Sequence, residues 1–160
     1  MTNIRVGLGL DFHRFAPDRA LVLGGVSIPH EFGLLGHSDA DVLVHAICDA
    51  LLGAAGLGDI GVQFPDSDER YRGISSLVLL RDVIEKLRDK GFRPVNVDAT
   101  VIAERPKISP FIAAMRMTLA ETLSLPGDRI GLKATTSERM GALGRGEGIG
   151  AMAVCLIETD

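Results

Sequence analysis

Residues 4–13 alternate between apolar side chains and a second set made of an arginine, two glycines, Asp11 and His13. A period of two is the pattern of a β-strand, in which residues i and i+2 project from the same face. One face of this strand is therefore apolar, while a carboxylate and an imidazole emerge side by side from the other. The pattern predicts a long strand that presents two types of metal ligand next to each other.

A helical pattern follows at 39–56, where apolar residues recur with a period near 3.6. Ser38 or Asp39 suits the N-cap of this helix. His45 lies beside its apolar face and can bring a second imidazole to the strand. One carboxylate and two histidines suit Zn²⁺, and three protein ligands leave the open coordination position that is typical of catalytic sites.

Two acids flank His45 on the same stripe of the helix, Asp41 one turn before it and Asp49 one turn after it. An Asp at this spacing can orient the ring of a ligating histidine without binding the metal itself. Asp41 has a simpler interpretation as an acid favoured by the helix dipole in the first turn. That interpretation does not cover Asp49, which lies well inside the helix.

Composition indicates one domain spanning residues 1–160, with 46% hydrophobic residues and a net charge of −4. The charges are scattered and form no basic patch, so we expect no nucleic acid partner. No apolar run approaches the ~20 residues of a membrane span, and we see no signal peptide. Cys48 and Cys155 have apolar neighbours, which favours buried thiols and a cytoplasmic location.

The remaining periodic segments predict an α+β fold, a single domain in which a mixed β-sheet has helices layered on one face. The predicted strands are 3–11, 20–28 with a break at Gly24-Gly25, 94–103, 129–135 and 149–158, and the predicted helices are 39–56, 75–90 and 110–124.

An acidic, irregular stretch at 59–68 contains Pro-Asp-Ser. Such runs usually form solvated loops with Asx turns. Long loops without secondary structure are also often functional, and this one offers carboxylates and amides to a substrate. The residues alone leave both interpretations open.

The segment 133–138 follows a predicted strand and is expected to open a short helical turn. Thr135 and Glu138 fit a capping box, and a helix N-terminus with free amides also suits phosphate. Glu138 can then hold a divalent cation. The glycine-rich run at 144–148 matches no nucleotide fingerprint. A metal site and phosphate-binding amides without a protein nucleophile point to phosphoryl transfer.

Taken together, the motifs resemble the 2-C-methyl-D-erythritol 2,4-cyclodiphosphate synthase family over nearly the whole chain. They are Gly9-Leu10-Asp11-Phe12-His13, Leu35-Gly36-His37-Ser38-Asp39-Ala40-Asp41, His45-Ala46, Asp49-Ala50-Leu51-Leu52-Gly53-Ala54, Gly58-Asp59-Ile60-Gly61, Phe64-Pro65-Asp66, Asn96-Val97-Asp98, Lys133-Ala134-Thr135-Thr136 and Gly144-Arg145-Gly146-Glu147-Gly148. The resemblance implies a homotrimer with active sites at subunit interfaces. It implies that 4-diphosphocytidyl-2-C-methyl-D-erythritol 2-phosphate is cyclised, with CMP released.

The resemblance also implies the role of individual residues. Zn²⁺ would be bound by Asp11, His13 and His45, and Mg²⁺ or Mn²⁺ by Glu138. His37 and Thr136 would be catalytic. The substrate would contact Ser38, Asp59, Gly61, Phe64, Asp66, Asp68, Ala103, Pro106, Lys107, Ile108, Ser109, Thr135 and Arg145. On this basis the acidic loop is functional.

The chain departs from the family pattern at Ala40, where glycine is usual, and at Ala142-Leu143, where Phe-Thr is common. The second change, together with Met152, alters a cavity that binds isoprenoid diphosphates on the trimer axis of some members. Two other functions remain as alternatives: a metal-dependent phosphohydrolase acting on a nucleotide-like diphosphate, and a trimeric module with a structural metal.

Overall fold

The computed structural model describes residues 3–159. Its strands are β1 (Ile4–Ala16), β2 (Leu21–Leu23), β3 (Val26–Ile28), β4 (Gly33–Leu34), β5 (Phe92–Ile102), β6 (Ile130–Thr135) and β7 (Gly148–Thr159). Its α-helices are α1 (Val42–Ala55), α2 (Ile60–Gln63), α3 (Ser76–Asp89), α4 (Ile112–Leu123) and α5 (Gly141–Gly144). Short 3₁₀ turns lie at Glu69–Tyr71, Ser109–Phe111 and Gly127–Arg129.

The main sheet has five strands in the order β4-β1-β7-β5-β6. Strands β5 and β6 run parallel, and the other neighbours are antiparallel. The sequence-based prediction of a mixed sheet in an α+β fold is therefore confirmed. The predicted break at Gly24-Gly25 is also confirmed, because β2 and β3 form a separate hairpin. Both turn glycines have positive φ, as the tightest two-residue hairpin turns require.

Helix α1 packs closely on β1 because the strand carries glycine at the contact. A Cβ atom at Gly9 would lie 2.0 Å from the carbonyl oxygen of Ala46, and one at Gly7 would lie 1.9 Å from that of Ala50. Alternate residues of β7 complete the buried face of the sheet with Ala151, Ala153, Cys155 and Ile157. Both cysteines are buried thiols, as predicted.

The opposite face of the same strands is apolar and exposed. Ile4, Val6 and Leu8 of β1 keep 61%, 64% and 57% of their surface accessible. Met152 and Val154 of β7 lie beside them in the sheet and are also exposed. The helices therefore cover only one face, and an apolar strip remains on the other.

Several boundaries differ from the sequence-based prediction. Strand β1 continues to Ala16, which keeps His13 inside the ladder opposite Ile149. Helix α1 begins at Val42 with Asp41 as its N-cap, so the prediction of Ser38 or Asp39 was wrong. The short elements β4, α2 and α5 were not predicted. Among residues 3–159, no helix combines the length and the apolar character needed to cross a membrane.

Candidate active site

Three ligand-type side chains converge where β1 meets α1. Asp11 Oδ2 lies 2.8 Å from His13 Nε2 and 3.1 Å from His45 Nδ1. The two ring nitrogens are themselves 3.2 Å apart. The donor atoms of all three residues fall within 4.8 Å of one another, which is a spacing that one cation can bridge. The structure thus brings together the three residues that the sequence predicted as zinc ligands.

The hydrogen bonds of the outer ring nitrogens fix which nitrogens face the centre. His13 Nδ1 lies 2.6 Å from the carbonyl oxygen of Leu35, so it carries a proton and donates it. His45 Nε2 lies 2.9 Å from Ser76 Oγ. The Ser76 hydroxyl donates to Asp39, so it accepts from His45. His13 Nε2 and His45 Nδ1 are therefore the ring nitrogens that face Asp11.

The charges of this cluster reinforce one another. Burial acts to raise the pKa of Asp11, but hydrogen bonds from His13 and His45 outweigh it and hold that pKa well below its usual range. Burial acts to lower the pKa of His13, but the hydrogen bond and charge of Asp11 outweigh it and raise that pKa. Asp11 therefore stays ionised and attracts a cation.

Ser76 is a site residue that sequence reasoning missed. It is fully buried at the start of α3, and Asp39 Oδ2 accepts a hydrogen bond from its amide at 3.0 Å. Ser38 Oγ makes a further contact with His45 Nε2 at 3.1 Å. The only sequence signal was a Ser-Ser pair before a helix, which resembles an ordinary N-cap. The contact depends on how α3 packs against α1, which local sequence does not reveal.

The prediction that Asp41 and Asp49 orient the ring of His45 was wrong. The carboxylate of Asp41 accepts instead from the amides of Gly24, Gly25 and Val44, so it joins the hairpin to α1. Burial raises the pKa of Asp41 to about 6 although these three donors oppose the shift.

Asp49 accepts from the amide of Ile60 at 2.7 Å and fixes the start of α2. Both acids lie on the predicted stripe, but each points to backbone amides of a neighbouring element. Spacing along a helix indicates a shared face and not a shared partner.

A cavity of about 220 Å³ opens beside the triad. Its walls include the predicted residues Asp11, His13, His37, Ser38, His45, Gly61, Phe64 and Asp66, together with Gly36, Ile60, Tyr71 and Leu79. The ring of Tyr71 packs edge-on against Phe64, which shapes the apolar side of the cavity. Tyr71 was not predicted, although it is the only tyrosine in the chain.

The acidic loop at 59–68 lines part of this cavity, and two of its carboxylates form contacts within the same region of the chain. Asp59 Oδ1 caps α2 by accepting from the amide of Val62 at 2.9 Å. The carboxylate of Asp68 pairs with Arg70, which holds the pKa of Asp68 below its usual range. The ring of His37 contacts the carbonyl oxygen of Asp68 at 3.2 Å. His37 therefore ties the loop to the segment before α1.

The segment after β6 is a turn and not the expected start of a helix. Glu138 and Arg139 have positive φ values of 53° and 62°, which a right-handed helix excludes. The predicted capping box of Thr135 and Glu138 was therefore wrong. Instead, the Thr136 hydroxyl donates to Glu138 Oε1 at 3.3 Å and accepts from Glu138 N at 3.2 Å.

Five other predicted substrate residues lie in a separate loop and do not line the triad cavity. They are Ala103, Pro106, Lys107, Ile108 and Ser109, in the loop after β5. The amide of Ala103 donates to the carbonyl oxygen of Thr135, which joins this loop to β6. Arg145 pairs with Glu147 at 2.6 Å. Within one chain, the predicted site is divided into two groups.

Ala40 sits in the left-handed backbone region with a φ of 58° and is fully buried. A glycine would adopt this conformation without strain, whereas alanine does so at a cost. The Ala40 methyl group lies against Gly36, where an added Cβ would approach it to 2.8 Å. The segment that carries His37 is thus closely packed and stiff.

Comparisons with known proteins agree over nearly the full chain. A sequence profile described as the YgbB family matches residues 4–158. A 2-C-methyl-D-erythritol 2,4-cyclodiphosphate synthase from Desulforamulus reducens is 59% identical over 155 residues, which covers 97% of this chain and 99% of that protein.

Solved structures give the same result. A 2C-methyl-D-erythritol-2,4-cyclodiphosphate synthase in its CDP-bound form matches with a TM-score of 0.88 at 42% identity, over 96% of this chain and 99% of its own. The bifunctional IspDF from Campylobacter jejuni matches with a TM-score of 0.96 at 42% identity. That match covers 100% of this chain but only 43% of the longer protein. The chain therefore belongs to the YgbB family and is similar throughout to its 2-C-methyl-D-erythritol 2,4-cyclodiphosphate synthases.

Proposed function

We propose that cyclodiphosphate formation takes place in the cavity beside Asp11, His13 and His45. As a family member 59% identical to a synthase, the chain is a phosphorus–oxygen lyase that forms 2-C-methyl-D-erythritol 2,4-cyclodiphosphate in the non-mevalonate isoprenoid pathway. The 2-phosphate of the cytidyl diphosphate substrate forms a new P–O bond to the β-phosphorus, and the bond to the leaving CMP breaks. The convergence of the triad on one side of this cavity carries the assignment.

The triad suits Zn²⁺ as its resident metal. Two imidazole nitrogens and one carboxylate oxygen form a borderline donor set, and three ligands leave a position open toward the cavity. When both rings are neutral, their outer hydrogen bonds leave lone pairs on His13 Nε2 and His45 Nδ1, and a cation bound there would take the place of the proton that Asp11 attracts. Bound there, Zn²⁺ would polarise a phosphoryl oxygen and neutralise its charge.

Glu138 is the proposed ligand of a second divalent cation, Mg²⁺ or Mn²⁺, held against the diphosphate. Its carboxylate is exposed, and its contact with the Thr136 hydroxyl is long at 3.3 Å. An exposed, weakly held carboxylate retains the capacity to bind a hard cation that keeps several waters. The hydroxyl of Thr136 lies beside this carboxylate, and that of Thr135 contacts the carbonyl oxygen of Thr136 at 3.3 Å. Both hydroxyls can donate to phosphate oxygens.

The remaining predicted residues are assigned by position. His37 lines the cavity and can donate to a phosphoryl oxygen as negative charge develops in the transition state. Ser38, Gly61, Phe64 and Asp66 face the same space and would bind the methylerythritol part, with Asp59 and Asp68 in the loop above it. The loop at 103–109, with Lys107, would hold the cytidine part. A CDP-bound relative supports a cytidyl nucleotide as ligand.

A homotrimer would bring the two groups of site residues together. Head-to-tail contact around a closed ring joins one surface of each chain to a different surface of the next. The apolar strip of β1 and β7, with Leu8 57% and Val154 40% exposed, is the type of surface that such an assembly buries. Each active site would then take its triad from one chain and its nucleotide loop and Glu138 from the neighbour.

Product analysis by ³¹P NMR tests the reaction. Incubating the zinc-loaded protein and Mg²⁺ with the cytidyl diphosphate substrate should convert its phosphorus signals into those of a cyclic diphosphate and CMP in equal amounts. Inorganic phosphate or CMP without a cyclic product would indicate attack by water and favour a phosphohydrolase instead.

A further inference from the structure

We infer that Glu104 is a positioning residue that links the nucleotide loop to the turn carrying Glu138. The inference rests on the proposed function, which assigns the nucleotide to the loop at 103–109 and the second cation to Glu138. That assignment gives the loop as a whole to the nucleotide and no separate role to Glu104. Its side chain lies between the two segments and is half-buried.

One carboxylate oxygen of Glu104 receives three hydrogen bonds from the turn. Glu104 Oε1 accepts from Ser137 N at 3.0 Å and from Arg139 N at 3.2 Å, and it shares the proton of Ser137 Oγ, at 3.2 Å, with the carbonyl oxygen of Met140, at 2.9 Å. The two amides flank Glu138 in the chain. Hydrogen bonds to an ionised acceptor are about twice as strong as those between neutral groups. Glu104 therefore holds the backbone on both sides of the proposed cation ligand.

The turn needs such support because its backbone is strained. Glu138 and Arg139 both have positive φ, a conformation that non-glycine residues rarely adopt even singly. Strained backbone persists only where surrounding contacts hold it in place. Without Glu104, the amides of Ser137 and Arg139 would lose their shared acceptor and the turn would be free to relax. The carboxylate of Glu138 would then lose its fixed direction.

The same residue belongs to the nucleotide loop. Glu104 follows Ala103, whose amide bonds to Thr135, and precedes Pro106 and Lys107. A nucleotide that orders this loop therefore also orders the turn through Glu104, and a cation on Glu138 orders the loop in return. Coupling between two ligands is reciprocal, so each should raise the affinity for the other by the same factor.

Calorimetric titration of the zinc-loaded protein with CDP, with and without added Mg²⁺, measures this coupling directly. In the wild-type protein Mg²⁺ should tighten CDP binding. In Glu104→Ala, the factor by which Mg²⁺ raises the affinity for CDP should fall about tenfold. This corresponds to the loss of a hydrogen bond to a charged group. Glu104→Gln keeps an oxygen acceptor at the same place and should retain most of the gain. Zinc content should match wild type in both variants, and both should unfold in a single cooperative transition.

Two results would overturn the inference. If Glu104→Ala keeps the full effect of Mg²⁺ on CDP affinity, the turn does not depend on Glu104. If Glu104→Gln loses as much as Glu104→Ala, the negative charge itself acts on ligand or cation, and positioning is the wrong role. Should Glu104→Ala fail to fold, Ser137→Ala removes one of the three donors and should reduce the gain from Mg²⁺ by a smaller factor, about twofold to threefold. An unchanged gain in that variant counts against the inference.

Failure of the proposed function gives a different pattern. Glu138→Gln should abolish most of the Mg²⁺ effect while Glu104 remains intact. If Glu138→Gln behaves as wild type, or if wild type binds no CDP, the assignment of the site itself is wrong. Hydrogen exchange of the peptide spanning 136–140 separates the two cases, because Glu104→Ala should lose protection there even without ligands and Glu104→Gln should keep it.

Discussion

At the scale of single residues, the metal centre depends on a side chain that binds no metal. The Ser76 hydroxyl accepts a hydrogen bond from His45 Nε2 and donates one to Asp39, and this turns Nδ1 toward Asp11. Such outer partners set the tautomer and direction of a ligating histidine. The negative charge of Asp39 also makes the ring a better donor to a cation.

We expect Ser76→Ala to lower the affinity for Zn²⁺ about 10-fold to 100-fold, because the ring of His45 loses the stronger of its outer contacts. Competition with a chromophoric chelator measures the affinity without relying on turnover. Ser75→Ala is the matched control, since Ser75 is exposed and makes no capping hydrogen bond. Equal zinc affinity in wild type and Ser76→Ala would show that the contact does not orient the ligand.

Zinc binding should also depend on pH in a defined direction. The pKa of His13 is raised because the hydrogen bond and charge of Asp11 outweigh burial, so a proton on Nε2 competes with the metal. Below the pKa of His13, zinc affinity should fall about tenfold for each pH unit, and the decline should begin above the usual value of about 6.5. Titrations between about pH 5.5 and 8 check this, and an affinity that is level from about pH 7 to 6 contradicts it.

At the scale of secondary-structure elements, the distance between β1 and α1 sets the geometry of the triad. Asp11 and His13 come from the strand and His45 from the helix, and glycine lets the two approach until backbone meets backbone. Gly9 lies two residues before Asp11, and its contact on the helix is Ala46, the neighbour of His45. Fold stability and metal binding therefore rest on the same contact.

We expect Gly9→Ala to lower the free energy of unfolding by about 3 kcal/mol or more, because a rigid backbone atom lies 2.0 Å from the new Cβ. Zinc affinity should fall with it as α1 is pushed away. Gly53→Ala is the control, because Gly53 lies in α1, the helix that Gly9 contacts, and no atom lies within 4 Å of a Cβ added there. That change should raise stability by about 0.5–1 kcal/mol. Denaturant titrations at one protein concentration compare the variants, and a neutral Gly9→Ala would show that the helix can shift freely.

Sequence patterns predicted the elements better than the contacts between them. The period of two at 4–13 and the period of 3.6 at 39–56 identified β1 and α1, and with them the triad, because strand and helix geometry alone set those directions. Asp41 and Ser76 were misjudged or missed because their partners lie on other elements.

The capping-box pattern at 135–138 failed for a related reason. The acceptor that stabilises its left-handed turn, Glu104, comes from a loop about thirty residues earlier in the sequence. Local propensity describes what a segment can do alone, and tertiary contacts override it.

At the scale of the whole molecule, one chain exposes apolar surface and separates the proposed halves of its active site. The exposed strip includes Ile4 at 61% and Val6 at 64%. The triad cavity contains none of the residues from the loop at 103–109 or the turn with Glu138. A closed trimer would explain both features, because it buries the strip and forms a complete site at each interface.

Mixed trimers of two inactive variants test this arrangement. We expect His45→Ala to lose the metal side and a Lys107→Ala/Glu138→Ala double mutant to lose the nucleotide side, each without loss of assembly. With random mixing, half of the metal sides and half of the nucleotide sides are intact, so about one quarter of wild-type activity should return on co-expression. Native mass spectrometry confirms that mixed trimers are present. If each site is built within a single chain, every site carries a lesion, and activity stays at the level of the separate mutants.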